Sequence, residues 1–183
     1  ITNFTNSLIL GHQTTGTLDS ADGNTAVGYA AMDAITSGDN NVAVGFEALG
    51  ANTTGATNVA VGAYAVDANT TGTNNTGLGY AALTSNTTGA QNVGLGTNAL
   101  GTNSTASNNT AVGHYSLASN STGASNVAVG SLALDANTTA DNNTAVGTSA
   151  LGANTTGGSN IAIGSNALDA NTTGARNVAI GYD

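Results

Sequence analysis

Asn-Val-Ala-Val-Gly, or a close variant of it, recurs ten times at a fixed interval of 17 residues. The copies begin at Asn24, Asn41, Asn58, Asn75, Asn92, Asn109, Asn126, Asn143, Asn160 and Asn177, and a weaker copy, Ser7 to Gly11, lies one period upstream. A period this short and strict stacks coils along one axis, because each unit can bury its apolar side only against its neighbours. The pattern predicts an all-β, parallel β-solenoid of ten to eleven coils over residues 7–183, after a short lead-in at residues 1–6. At about 4.8 Å per coil the rod is about 50 Å long. Such a frame favours a shaft or spacer over a globule with a pocket.

Number the slots of a coil from one to seventeen, starting at its leading Asn. Slot four is Val, Leu or Ile in every copy, slot two is Val, Ile or Thr, and slot nine runs Met32, Leu49, Val66, Leu83 and onward to Leu168. Aliphatic residues alternating with small ones predict two short strands per coil, at slots one to four and seven to eleven. Gly at slot five in every copy, and at slot fifteen in most, marks the corners. Where slot fifteen is Ala106 or Ala140, the corner is expected to change shape or carry strain. Asn at slot one and, from Asn52, at slot twelve recurs in register, so its side chains are expected to form hydrogen-bonded ladders along the axis.

If slots two and four face inward, the two-residue strand period turns slots three and eight outward. Slot three is Ala26, Ala43, Ala60, Gly77, Gly94, Ala111, Ala128, Ala145, Ala162 and Ala179, and slot eight is Ala in all copies but one, where Ser116 stands. A solvated face drifts through Thr, Ser and charged residues, as slots six, seven and ten do. A file held this small marks a surface with another chain against it, so the slot-three residues are the expected subunit interface.

Ten carboxylates stand against a single basic residue, Arg176, for a net charge of −9. Nucleic-acid binding rests on Lys and Arg at phosphates, and anionic bilayers repel such a chain, so both are excluded as partners. No apolar run approaches the roughly 18 residues of a membrane span, so insertion is excluded too. His12 and His114 both occupy slot six, six coils or about 30 Å apart. No paired carboxylates, catalytic triad or phosphate-binding Gly loop appears, which predicts no catalytic residue, cofactor or metal. Asp33, Asp67, Asp135 and Asp169 all fill slot ten. Two coils apart, neighbours are separated by about 9–10 Å, too far to share a calcium ion.

The segments SNVAVGSLALDA (Ser125 to Ala136) and SNIAIGSNALDA (Ser159 to Ala170) resemble the head repeats of trimeric autotransporter adhesins. The variant NTAVGYxAL followed by SNTTG is similar to repeats of phage tail fibres of the kind that carry an endosialidase-type intramolecular chaperone. The resemblance implies a left-handed β-roll with three chains side by side, on a virion fibre or a cell surface. The expected partners are the chain itself, in a homotrimer or filament, and a host-cell surface glycan or protein. Adhesin head repeats are shorter, so the residues around NTTG enlarge one corner here. The last coil stops at Asp183 in slot seven without a polar cap, as expected of a piece of a longer rod.

These readings converge on a structural or adhesive segment of an extracellular fibre. One alternative is a self-assembling filament. Another is an ice-binding solenoid, for which Thr53-Thr54, Thr70-Thr71 and Thr87-Thr88 offer paired files. Adjacent strand residues face opposite ways, however, so only one Thr file could meet ice. Candidate surface contacts are Tyr29, Phe46, Glu47, Tyr64, Tyr80, His114 and Tyr115, mostly aromatic on an otherwise Thr/Asn surface.

Overall fold

One three-residue strand forms in each coil, where slots two to four set β-branched or aliphatic residues on either side of Ala or Gly. The strands run from β1 (Leu8–Leu10) and β2 (Thr25–Val27) in 17-residue steps to β11 (Val178–Ile180). The structure, a computed structural model, describes residues 20–183 and the backbone of β1; the expected lead-in at 1–6 and His12 lie outside the described residues. All eleven strands form one parallel sheet in chain order. Register is one slot to the same slot of the next coil: Val59 pairs with Thr76, Ala60 with Gly77 and Val61 with Leu78. No helix occurs among the described residues. The chain is an all-β parallel β-solenoid.

The second expected strand, at slots seven to eleven, is a run of turns instead. Its backbone enters the left-handed region twice per coil, at slot seven (Glu47, φ 53°) and slot nine (Leu49, φ 51°), which a pleated strand excludes. Even β-branched Val66 adopts φ 52° there. The reversals aim alternate N–H groups up and down the axis. Glu47 donates to the Tyr29 carbonyl of the preceding coil at 2.9 Å, and Leu49 to the Ala65 carbonyl of the following one at 3.0 Å. The arc is thus bonded on both sides without being a strand.

Inside and outside are also the reverse of the expectation. Slot three is the core: Ala26, Ala43, Ala60, Ala111, Ala128, Ala145 and Ala162 are fully buried within one chain. Gly77 and Gly94 are buried with them, and Ala179, in the last coil, is half-buried. The slot-three file is therefore no subunit surface. Slot eight is buried too, Ser116 included, and beside it slot nine supplies a large interior side chain in each coil, joined in the first coil by Ile35 at slot twelve. The physical reason is width. A Cβ added at Gly77 would lie 2.6 Å from Val66 Cγ2 and 3.2 Å from the Ala82 carbonyl oxygen. Slot three thus abuts slot nine of the coil below and slot eight of its own coil, and at most a methyl group fits between them. Slots two and four consequently point outward.

The remaining interior is polar and ladders as expected. From Asn52 to Asn171 each slot-twelve Nδ2 beyond the first donates to the preceding Oδ1, at 2.8 Å for Asn69 to Asn52 and 3.3 Å for Asn154 to Asn137. At slot one the backbone N–H joins in, Asn58 N donating to Asn41 Oδ1 at 2.9 Å. Both files converge on the slot-fifteen carbonyl. Asn58 and Asn69 each donate Nδ2 to the Gly72 oxygen, at 2.9 and 3.0 Å, which cinches the coil shut. Buried amides hold their place because nearly every one is hydrogen-bonded; Asn143 Nδ2 is the exception among the described residues.

At the slot-five corner Gly62 has φ +133°, and a Cβ would lie 2.5 Å from the Gly79 carbonyl oxygen. Slot fifteen requires no positive φ, and there Ala106 and Ala140 keep the common corner. Ala106 O still accepts from Asn92 and Asn103 at 2.8 and 3.1 Å, and Ala140 O from Asn126 and Asn137 at the same distances. The expected change of shape does not occur.

Candidate functional site: an apolar sheet face and a notched corner

Two surfaces stand out from the Asn/Thr exterior. The first is the outward face of the sheet, where slots two and four of β2–β11 supply twenty side chains, sixteen of them Val, Leu or Ile and four Thr. None is charged, although the chain carries −9. Exposure is substantial along the rod: Val44 is 37%, Leu78 47%, Val127 36% and Ile161 40% exposed. The Thr hydroxyls of this face (Thr25, Thr76, Thr110 and Thr144) point to the same side as the aliphatic groups, because slot two shares its face with slot four.

The second surface is the corner after slot five. Here Tyr29 stacks on Phe46 with ring centroids 5.3 Å apart and planes within 7°. Phe46 meets Tyr64 edge-on at 5.2 Å, and Tyr64 meets Tyr80 edge-on at 5.9 Å. Four of the candidate contact residues therefore form one continuous aromatic run across four coils, each ring covering part of its neighbour. His114 and Tyr115 form a separate pair, two coils beyond Tyr80, with centroids 4.5 Å apart. Glu47 belongs to a third group. It lines a depression of about 270 Å³ with Asp33 and Asp67, floored by Gly50. Burial, and secondarily the Glu47 charge, pushes the Asp67 carboxyl above its ordinary range. Burial also raises Asp135, against the opposing hydrogen bonds of its own and Ala136's backbone N–H.

Among the described residues, no group of three or more His, Asp or Glu side chains is placed to hold a metal ion. The slot-thirteen hydroxyls are engaged in the fold: Thr53 Oγ1 donates to the Thr70 carbonyl at 3.0 Å, and the pattern repeats up the rod. Slot fourteen, represented by Thr54, Thr71 and Thr88, is exposed. The Asn-x-Thr triplets at slot twelve, such as Asn52-Thr53-Thr54, place their Asn in the buried ladder, out of reach of modification in the folded rod.

No protein-family model matches this sequence, and neither a curated protein nor a solved structure matches it. Two features of the site escaped sequence reasoning. One is the outward sheet face: slots eight and nine are apolar in succession, which departs from the alternation of a one-sided pleated strand. The other is Gly at slot ten in every third coil, Gly50, Gly101 and Gly152, a spacing plainly visible in the sequence.

Proposed function

We propose that this chain is a non-catalytic rod segment of an extracellular fibre, a phage tail fibre or trimeric surface adhesin, in which three copies pack sheet face to sheet face. The sheet face carries the reading. An uncharged, mostly aliphatic surface running the length of a rod is far larger than the scattered apolar residues of a monomer surface. A second copy of the chain presents the same charge-free face over the same length, with its acidic residues all on other slots. Three such faces turned toward one axis leave the Asn- and Thr-rich corners in water. The repeat resemblance to adhesin heads and tail fibres supports both the trimer and the location outside the cell.

The reactive groups favour a passive role. His114 sits at an exposed corner against Tyr115, and the slot-thirteen hydroxyls are bound to carbonyls of the next coil. That engagement also weakens the ice-binding alternative, since it leaves one free Thr file, at slot fourteen.

Light scattering on the purified chain tests the assembly, with an expected mass of three times 17.5 kDa. A double variant, Val59→Glu with Val127→Glu, is expected to fall to the single-chain mass with an unchanged circular dichroism spectrum. A monomeric parent, or a variant that keeps the parent's mass, overturns the reading. Immunogold labelling confined to the cytoplasm overturns the extracellular half, and long uncapped filaments in micrographs favour the filament alternative over the fibre.

A further inference from the structure

Slot ten is usually occupied by Asp, Thr or Ala, and glycine there removes the side chain that fills the space between neighbouring coils. Gly50 and Gly101 each line a depression, and their surroundings differ. At Gly50 a Cβ would lie 2.8 Å from Asp67 Oδ1, so the carboxylate already claims the space. At Gly101 the backbone has no left-handed φ, and a Cβ would meet nothing nearer than the Asn98 carbonyl oxygen at 3.3 Å. The fold does not demand glycine at that position. Thr84 and Ala118 occupy the same slot in the coils on either side.

The resulting notch measures about 350 Å³ and is lined by Thr84, Ser85, Asn98, Thr102 and Tyr115 around Gly101. Thr102 Oγ1 is tied to the Ala118 carbonyl at 2.8 Å and the Asn120 carbonyl at 3.1 Å. Asn98, Tyr115, Thr84 and Ser85 line the opening and stand outside the Asn files at slots one and twelve that ladder the rod. Tyr115 is 40% exposed, and His114 braces its ring. No charged side chain lines the notch. It sits on slots seven to eleven, separate from slots two and four of the sheet face.

We propose that the Gly101 notch binds one or two residues of a neutral saccharide. Amide and hydroxyl groups can both donate and accept, matching a ring of sugar hydroxyls, and the tyrosine offers an apolar wall for the C–H face. A charged ligand would find no counter-charge there. The acidic depression at Gly50 lacks an aromatic wall, so it does not share the assignment.

Saturation-transfer NMR on the full chain with maltotriose, cellotriose and chitotriose tests this. At least one trisaccharide is expected to bind in the millimolar range. Gly101→Thr, which installs the residue that coil four already carries at this slot, is expected to weaken that binding at least tenfold, as is Tyr115→Ala. Gly152→Thr, in the third glycine coil, should leave it unchanged. Light scattering on the same samples is expected to give the parent's mass throughout, so a failure of saccharide binding is read separately from a failure of assembly. No transfer from any of the three probes, or transfer that survives Gly101→Thr, overturns the proposal.

Discussion

Replacing Asn86 by Leu removes one rung of the slot-twelve ladder and keeps the number of side-chain heavy atoms. Two methyl groups are bulkier than a planar amide, however, and add a packing cost of the same sign. Asn86 Nδ2 donates to Asn69 Oδ1 and to the Gly89 carbonyl, both at 2.9 Å, and Asn86 Oδ1 accepts from Asn103 Nδ2 at 3.0 Å. Gly89 O keeps a partner after the change, because Asn75 Nδ2 also donates to it at 2.8 Å. Asn103 Nδ2 likewise keeps its bond to the Ala106 carbonyl. Asn69 Oδ1 loses its ladder donor and stays buried. A buried polar atom left unpaired costs about 1–3 kcal/mol, and each lost bond a net 0.5–1.5 kcal/mol. The expected destabilisation is therefore at least about 2 kcal/mol, which for a chain of this length lowers Tm by at least about 4 °C. Thermal unfolding followed by circular dichroism measures it, with Thr88→Val at the exposed slot fourteen as a control expected to stay within about 0.5 kcal/mol. An Asn86→Leu variant within 1 °C of the parent would refute the reasoning that the ladder stabilises the stack.

Ala111→Leu overfills the space between slots eight and nine and is expected to cost at least about 1–3 kcal/mol in urea unfolding, whereas Val112→Leu, on the outward slot where Leu78 and Leu95 already stand, costs little. Gly62→Ala combines a positive φ with a clash against the Gly79 carbonyl, so it is expected to destabilise by more than about 2 kcal/mol; Gly101→Ala, with neither problem, should cost under about 1 kcal/mol in the same assay. Asp67→Asn is expected to raise Tm at pH 7. The folded-state pKa of Asp67 lies above its unfolded value, so its ionised form destabilises the fold at neutral pH. That penalty fades as pH falls through the folded pKa toward the ordinary value of 3.8, and the two melting temperatures should converge there; a gap that widens in acid refutes the assignment.

The axis, the period and the Asn ladders were legible because each is fixed by recurrence in register, which needs no knowledge of which way a side chain faces. Orientation was not legible, and the reason lies in slots three and nine. Small residues usually signal a tolerant exterior, but here Ala128 is small because Leu117 and Ala133 fill the narrow interior around it. Large aliphatics usually signal a core, but Val127 and Val129 lie on the outer side of the sheet. The positive φ of Leu49 and Val66 was equally hidden, since aliphatic and β-branched residues disfavour that conformation; stacking hydrogen bonds on both sides of the arc override the preference. At the corner the aromatic residues were visible as candidates, but their arrangement into a four-ring run and a separate His114–Tyr115 pair depends on coil stacking.

The absence of cysteine from the chain allows one thiol to be placed on each kind of surface. Rates of thiol labelling for Val127→Cys, Ala128→Cys and Thr139→Cys, measured at the assembled mass and again after dissociation, test directly whether the sheet face is the surface at which copies meet. Thr139→Cys is expected to label fast in both states, and Ala128→Cys only on unfolding. Val127→Cys should be protected in the assembly and become reactive when the copies separate. Labelling of Val127→Cys as fast as Thr139→Cys in protein of full assembled mass would contradict it.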